Sequence, residues 1–169
     1  WIIAEKTGEQ MSNLPKTVDE VLDFAIEQEE NAAAFYEELA AQAASTDMKQ
    51  GFVRLAREEQ KHRSMLQSVK DLKRFTNADY AISDLKIGTE LPSFRNVQEI
   101  GYEDAMILAM EREKEAFKLY MQLAELAEDG QARKLLRTLA AEEAKHKLIV
   151  ELAMDQDLDP EDDELVEPS

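Results

Sequence analysis

The sequence contains no cysteine among its 169 residues. This absence excludes disulfides, thiolate zinc sites, iron–sulfur clusters and cysteine nucleophiles. Glycine and proline are scarce as well, with five and four copies, whereas helix-forming residues recur throughout. The composition therefore favours long helices over sheet. Any bound metal must be held by carboxylates and imidazoles, the ligand types that suit iron, manganese and zinc.

Basic residues are few relative to acidic ones. The chain has 20 Lys and Arg against 37 Asp and Glu, for a formal net charge of −17. Such a surface repels phosphate backbones and anionic lipids, so neither nucleic acid nor membrane is expected as a partner. No apolar run approaches the roughly 18 residues of a membrane span, and the apolar Trp1-Ile2-Ile3 is too short for a signal-peptide core. We therefore expect a cytoplasmic location.

Apolar spacing predicts four long helices, at about residues 18–44, 47–74, 102–128 and 131–154. The first follows a capping box from Thr17 to Glu20, with Leu14 as a candidate staple. Residues 75–101 carry turn formers and no sustained period, which predicts a crossover with at most one short helix. Two helix pairs joined by one long connection predict an all-α four-helix bundle.

The two ends are expected to lie outside this bundle, which is assigned to residues 17–154. Residues 1–16 are interpreted as an N-terminal extension. Met11-Ser12-Asn13 has the form of a natural start, so residues 1–10 are interpreted as an addition to the native protein. From Asp155 to Ser169 there are eight acids and no base, a composition typical of a mobile, solvated tail.

An internal repeat relates the two predicted helix pairs. A shift of 84 residues superposes the first pair on the second without a gap, and it aligns acids, tyrosines and the chain's two histidines. Each histidine closes a Glu-x-x-His, formed by Glu59 with His62 and by Glu143 with His146. Because residues three apart share one helix face, the carboxylate and imidazole of each motif project together.

Both motifs occupy helix stripes that are otherwise apolar, and the matching positions of the first and third helices carry Glu29 and Glu113. The neighbouring acids fall off these stripes and are interpreted as solvated: Glu27, Glu30, Glu58, Glu111 and Glu142. Buried carboxylates must be neutralised, paired or bound to cations, and no Lys or Arg lies on the central stripes. Two divalent cations would balance four carboxylates with both imidazoles neutral, so the sequence predicts a dinuclear metal site.

The duplicated motif resembles that of the ferritin-like superfamily, and most closely the rubrerythrin-type di-iron domain. Such a bundle carries one Glu on each of two helices and a Glu-x-x-His on each of the other two. The resemblance covers about residues 17–154 and implies two bound iron ions, with manganese or zinc as alternatives. The metal ligands that it implies, which are also the implied catalytic residues, are Glu29, Glu59, His62, Glu113, Glu143 and His146.

The resemblance also implies how these ligands divide between the metals. One metal would take Glu29 and His62 as terminal ligands, and the other would take the equivalent pair from the second repeat. The two motif glutamates would bridge the metals. Tyr36 and Tyr120 lie seven residues after the first-repeat and second-repeat terminal glutamates, a spacing at which superfamily members place a tyrosine near the metal carboxylates. Each tyrosine would orient a ligand; an ordinary core aromatic with a satisfied hydroxyl is the alternative.

Two features depart from rubrerythrins proper. They carry a cysteine-ligated rubredoxin module that feeds electrons to the metals, whereas this chain has no cysteine, so a separate electron donor is expected. They also carry an additional carboxylate three residues after the ligand of the third helix, where this chain has Ala116. The six-ligand set is accordingly closer to ferritin and bacterioferritin ferroxidase sites.

The resemblance implies a di-iron oxidoreductase of peroxidase or ferroxidase type, linked to oxidative stress. It would oxidise Fe(II) while reducing hydrogen peroxide or dioxygen. Two alternatives stay open: a non-catalytic iron-binding or iron-storage subunit, and a redox-silent bundle whose buried Glu and His form a hydrogen-bond network. A homodimer or a larger homo-oligomer is expected.

Overall fold

The computed structural model describes Pro15, residues 17–72 and residues 96–158. Its elements are α1 (Val18–Gln42), α2 (Thr46–Leu72), the short α3 (Val97–Ile100), α4 (Tyr102–Leu126) and α5 (Gly130–Leu158). The described residues contain no strand, which confirms the predicted all-α bundle with four long helices. The last helix continues past its predicted end at residue 154. The Leu14 staple, most of the N-terminal extension, most of the crossover and the tail beyond residue 158 lie outside the described residues.

Polar side chains begin the helices where the sequence indicated. The Thr17 hydroxyl accepts a hydrogen bond from the backbone N–H of Glu20 at 3.2 Å, which confirms the predicted N-cap. Asp129 Oδ1 accepts from two N–H groups of the first turn of α5, at 2.9 and 3.0 Å. These bonds satisfy donors that the helix itself leaves unpaired. Gly101, at φ +88°, allows α3 to pass directly into α4, in a conformation that favours glycine.

Each short connection joins two antiparallel helices. On the surface, Lys70 Nζ lies 2.5 Å from Asp23 Oδ1 and Arg63 Nε lies 2.5 Å from Glu30 Oε1. Because the later residue of α2 contacts the earlier residue of α1, the two helices run in opposite directions. The second pair, α4 and α5, packs in the same way. Each pair faces the other, with α1 beside α4 and α2 beside α5.

The core consists of two apolar clusters. One includes Leu22, Leu66, Leu123 and Leu136, which are all fully buried. The other includes Phe35, Leu39, Phe52, Leu55, Met106 and Val150. Both Glu-x-x-His motifs are also buried, although their residues belong to neither cluster. Burial of the two clusters holds the four helices together, at roughly 25 cal/mol per Å² of apolar surface, and fixes the layer of polar side chains at mid-bundle.

Candidate metal centre

All six predicted ligands are buried in the bundle core. Their exposed fractions lie between 0% and 4%; the residues are Glu29, Glu59, His62, Glu113, Glu143 and His146. Each long helix supplies its side chains through the stripe that the sequence identified, because apolar neighbours one turn on either side fix which face of the helix points inward. In α2, for example, Leu55 and Leu66 flank the Glu-x-x-His motif and are also buried.

The two motifs exchange contacts across the bundle. His62 Nδ1 lies 2.7 Å from Glu143 Oε1, and His146 Nδ1 lies 2.7 Å from Glu59 Oε1. The two imidazole rings stack with their centroids 5.0 Å apart and their planes inclined by 12°. This reciprocal arrangement is the approximate two-fold symmetry that an 84-residue repeat predicts for the folded chain.

The remaining two glutamates flank this arrangement, one on each side. Glu29 Oε2 lies 3.8 Å from His62 Nδ1, and Glu113 Oε1 lies 3.7 Å from His146 Nδ1. Glu59 approaches both imidazoles, since its Oε2 lies 3.2 Å from His62 Nδ1 while its Oε1 contacts the other ring. The division of these ligands into two terminal and two bridging carboxylates stays a prediction.

Each of the two predicted tyrosines contacts a carboxylate of the opposite helix pair. The Tyr36 hydroxyl donates to Glu113 Oε1 at 2.5 Å, and the Tyr120 hydroxyl donates to Glu29 Oε1. Seven helical residues rise about 10 Å, so neither tyrosine reaches the glutamate of its own helix. Because α1 and α4 are antiparallel, each tyrosine lies at the same height along the bundle as the glutamate of the other repeat.

Crowding and burial disturb the acidity of the four carboxyls. Removal from water raises the pKa of Glu29 and of Glu143 well above the ordinary value, and nearby carboxylates add to the effect. Burial, with the charge of Glu113, raises the pKa of Glu59 to about 7. Burial also opposes ionisation of Glu113, but hydrogen bonds involving Glu143 and an imidazole outweigh it and lower its pKa to about 2. The protein alone therefore does not stabilise four ionised carboxylates in this layer.

The two imidazoles differ from each other. Burial lowers the pKa of His62, which favours the neutral form that binds metals. Burial also acts to lower the pKa of His146, but hydrogen bonds with Glu113 and Glu59 outweigh burial and raise that pKa to about 11. A cation at Nδ1 would replace that proton, because both occupy the same lone pair and metal ligands bind deprotonated.

The donor set fits a metal. Glu59, His62, Glu143 and His146 each offer a ligand atom, and these atoms all lie within 4.8 Å of one another. Glu59 Oε2 and Glu113 Oε2 are buried and make no hydrogen bond of acceptable geometry with the described residues, although His62 Nδ1 lies 3.2 Å from the Glu59 oxygen. An unsatisfied buried acceptor is costly. Carboxylate oxygens and imidazole nitrogens suit iron, manganese and zinc. The layer is a buried Glu and His cluster able to bind metal.

One glutamate that was predicted to be solvated contacts this layer. Glu58 is half-buried, and its Oε2 lies 2.7 Å from His146 Nε2, on the ring edge opposite Glu59. Its repeat counterpart Glu142 is also half-buried and lies near the same imidazole. The interpretation was wrong for this pair, because Glu58 lies four residues before His62 and so sits on the edge of the inward face. Glu27, Glu30 and Glu111 are exposed, as expected.

A buried base that the apolar stripes did not predict adjoins the cluster. Arg112 is 6% exposed, and its Nη2 donates to Gln28 Oε1. Burial lowers its pKa to about 10, with Glu113 and Glu29 acting against the shift, so the guanidinium stays charged at neutral pH. The signal lay in the repeat: the 84-residue shift aligns Gln28 with Arg112, next to the two terminal glutamates.

A cavity of about 30 Å³ opens onto the cluster. Its lining consists of seven pairs of repeat-related residues: Ala25 and Ala109, Gln28 and Arg112, Glu29 and Glu113, Ala32 and Ala116, Phe35 and Leu119, Tyr36 and Tyr120, and Glu59 and Glu143. Except for the last pair, all of them come from α1 and α4. One water needs about 10–15 Å³, so the cavity has room for about two waters or a ligand of similar size.

A helix-pair duplication with a buried, metal-competent layer of carboxylates and imidazoles defines a ferritin-like bundle. The family model for rubrerythrin matches residues 20–154, which covers all four long helices but the ends of α1 and α5. The chain belongs to the rubrerythrin family. Neither the curated proteins nor the solved structures give a significant match. No helix within the described ranges combines the length and apolar character needed to cross a lipid bilayer.

Proposed function

We propose that the protein is a di-iron carboxylate oxidoreductase that oxidises Fe(II) while reducing hydrogen peroxide or dioxygen. The observation that carries this proposal is the pairing of the buried Glu and His cluster with a small cavity that reaches four of its carboxylates. Membership of the rubrerythrin family supports iron as the metal. We further propose that the protein acts in the cytoplasm against oxidative stress and works as a homodimer or larger homo-oligomer.

Each half of the cluster would hold one iron. Glu29 and His62 would be terminal ligands on one side, and Glu113 and His146 on the other. The remaining ligands, Glu59 and Glu143, would bridge the two irons. Two bound Fe(II) ions supply two electrons, which together with two protons reduce one hydrogen peroxide to two waters, or one dioxygen to hydrogen peroxide.

The chain's own groups would orient the ligands and restrict access. The hydroxyls of Tyr36 and Tyr120 hold one oxygen each of the two terminal carboxylates, which leaves the other oxygen of each for a metal. The apolar clusters on the two sides of the layer exclude bulk water. A cavity of about 30 Å³ admits peroxide or dioxygen and excludes an organic substrate with several carbon atoms.

Electrons must return from outside this chain once both irons are oxidised. The chain has no cysteine to build a rubredoxin-like centre of its own. We propose a separate redox protein as donor. Because the bundle is acidic, a donor with a basic docking surface would associate fastest, and its rate of electron transfer would fall as the salt concentration rises.

Stopped-flow mixing of the Fe(II)-loaded protein with hydrogen peroxide tests the proposal. Glu59→Gln removes one bridging charge, whereas Glu111→Gln removes an exposed acid of α4 and serves as the control. We expect rapid oxidation of about two irons per chain in the wild type and in the control, and at least a hundredfold slower oxidation in Glu59→Gln. Wild-type oxidation no faster than that of Glu59→Gln would reject the proposal.

The same preparations distinguish the alternatives. A redox-silent bundle would hold no metal after purification and would not bind two equivalents of Fe(II). An iron-storage subunit would assemble into a shell that sediments far faster than a dimer of about 38 kDa, twice the chain mass of 19.3 kDa. It would also take up many irons per chain instead of two.

A further inference from the structure

The cavity over the cluster departs from two-fold symmetry at one polar position. Five of its seven repeat-related pairs consist of identical residues, and the other two are Gln28 with Arg112 and Phe35 with Leu119. Phe35 and Leu119 are both apolar. The exchange of Gln for Arg is therefore the one difference of charge within the lining of this cavity.

Gln28 and Arg112 also contact each other directly. Residues that are related by a two-fold axis meet only where that axis passes between them, so their hydrogen bond lies near the approximate two-fold axis that relates the two repeats. Arg112 lines the same cavity as Glu29 and Glu113, one glutamate from each repeat. Gln28 Oε1 accepts from Nη2 and so restrains the direction in which the guanidinium points.

The two repeats use side chains of different charge at this position. Moving a cation from water to a buried site is costly unless nearby groups compensate for it, and Arg112 is 6% exposed. The first repeat satisfies the same helix position with the neutral Gln28, between the same alanines and beside an equivalent glutamate. Glu113 and Glu29 offset part of the cost of burying the guanidinium, and the neutral Gln28 fills the equivalent position without any charge. The two repeats therefore differ here in the charge that they present to the cavity.

Charge balance indicates what the guanidinium serves. Four carboxylates neutralise two divalent cations, so a loaded centre of that composition has no net charge. Arg112 adds one positive charge beside the cavity, and oxidation of the metals adds more. Arginine binds small anions through directed N–H donors that keep their charge at all physiological pH values. The cavity is small enough to limit such an anion to two or three heavy atoms.

We propose that Arg112 is a positioning residue that makes the cavity selective for a small monoanion, such as hydroperoxide or azide, over an uncharged ligand of the same size. Gln28 holds the guanidinium in place. This inference rests on the proposed function, because it assumes that metals occupy the cluster. It adds that an anionic ligand approaches from the α1–α4 side, under Arg112.

Azide binding to the diferric protein tests the inference without measuring turnover. Iron content is determined first, and sodium azide is then titrated while the visible charge-transfer absorbance is followed. Arg112→Gln copies the side chain that the first repeat uses at this position. We expect it to retain two irons and to weaken azide binding about tenfold, which is about 1.4 kcal/mol. The salt dependence of azide binding should weaken too, since one fixed charge is lost.

Three controls distinguish the charge from the fold. Arg133→Gln removes an arginine whose Nη2 contacts the backbone oxygen of Ala127 outside the cavity, and it should leave azide affinity unchanged. Nitric oxide, a small uncharged ligand, should bind the diferrous forms of wild type and Arg112→Gln equally. The double variant Gln28→Arg with Arg112→Gln moves the charge across the two-fold axis and should restore azide affinity to within about threefold of the wild type.

Each result has a distinct meaning. A wild type that holds no iron refutes the proposed function, and the inference about Arg112 falls with it. Two irons in both proteins with equal azide affinity refute the inference alone. Equal weakening of azide and nitric oxide binding also refutes it, because that result indicates a structural effect. If Arg112→Gln does not fold, as judged by circular dichroism, the double variant decides: restored azide affinity supports the inference and lost affinity overturns it.

Discussion

Tyr36 of α1 donates its hydroxyl hydrogen to Glu113 Oε1 of α4 at 2.5 Å, across the interface between the two halves of the bundle. The equivalent bond runs in the other direction, from Tyr120 to Glu29. Each half of the duplication therefore holds a buried carboxylate of the other half. Neither half can complete the buried cluster alone, so assembly of the candidate metal centre depends on docking of the two helix pairs.

Removing one of these hydroxyls should weaken one metal position. We expect Tyr36→Phe to fold and to lower the affinity of one of the two bound metals by about ten- to hundredfold, because Glu113 loses the donor that orients it. Competition with a chelator measures both affinities. Tyr120→Phe should give the same result through Glu29, and the double variant should weaken both positions. Unchanged affinities in all three variants would show that the hydroxyls do not act on metal binding.

The pH dependence of the metal-free protein follows from the buried carboxyls. Burial raises the pKa of Glu59 from 4.5 to about 7, so the folded state retains a proton that the unfolded chain releases in that interval. The stability that this proton provides is lost as the pH rises from about 4.5 to 7, at up to about 1.4 kcal/mol per pH unit. Glu29 and Glu143 shift in the same direction. The metal-free protein should therefore melt at a lower temperature at pH 7.5 than at pH 5.5.

The histidines modify this expectation without reversing it. The raised pKa of His146 adds to the loss of folding stability as the pH rises above 6.5. The lowered pKa of His62 acts the other way, because it makes the folded state more stable as the pH rises toward 6.5. Calorimetry of the metal-free protein checks the sign, and the zinc-loaded protein is the control, since bound cations should stabilise the ionised carboxylates and remove most of the difference. A metal-free melting temperature that rises from pH 5.5 to pH 7.5 would contradict the prediction.

Glu58 should matter more to metal binding than its repeat counterpart. Its Oε2 lies 2.7 Å from His146 Nε2, and a carboxylate at that nitrogen orients the ring and increases the basicity of a metal-binding imidazole. We expect Glu58→Gln to weaken one metal position about tenfold. Glu111→Gln removes an exposed acid of α4 and is the control, which should leave metal affinity unchanged; Glu142→Gln, whose carboxylate contacts Lys145 at 3.1 Å, should change metal affinity less than threefold. Isothermal titration with Zn²⁺ measures all three, and equal effects of Glu58→Gln and Glu142→Gln would refute the assignment.

The apolar clusters should determine stability independently of the metal centre. Leu136 of α5 is fully buried, so Leu136→Ala should cost about 2–5 kcal/mol of unfolding free energy, because it leaves a cavity in the core. Metal stoichiometry should stay at two. Leu148→Ala removes the same side chain from a position that is 55% exposed and should cost less than about 0.5 kcal/mol. Urea denaturation measures both, and equal costs would contradict the assigned core.

The predicted and observed sites differ in a consistent way. Glu59, His62 and their counterparts were predictable, because a polar residue within an apolar helical stripe is displaced from its usual surface position and the repeat supplied a second instance. The partner of Tyr36 was not predictable, since the stripe places the tyrosine in the core but not opposite Glu113. Glu58 and Arg112 were missed because they lie at the edges of their stripes, where a small rotation of the helix changes a solvated side chain into a buried one.

The amino-acid sequence alone determined the four helices, their inward faces and the duplicated Glu-x-x-His motifs, because these depend on periodicity within single helices and on comparison of the chain with itself. Only the tertiary structure decided which helices exchange contacts: that Tyr36 reaches Glu113, that Glu58 meets His146, and that Gln28 bonds to Arg112 near the approximate two-fold axis. Those pairs depend on the rotation and axial offset of neighbouring helices. Both quantities arise from the packing of the whole core, so no single stripe contains them.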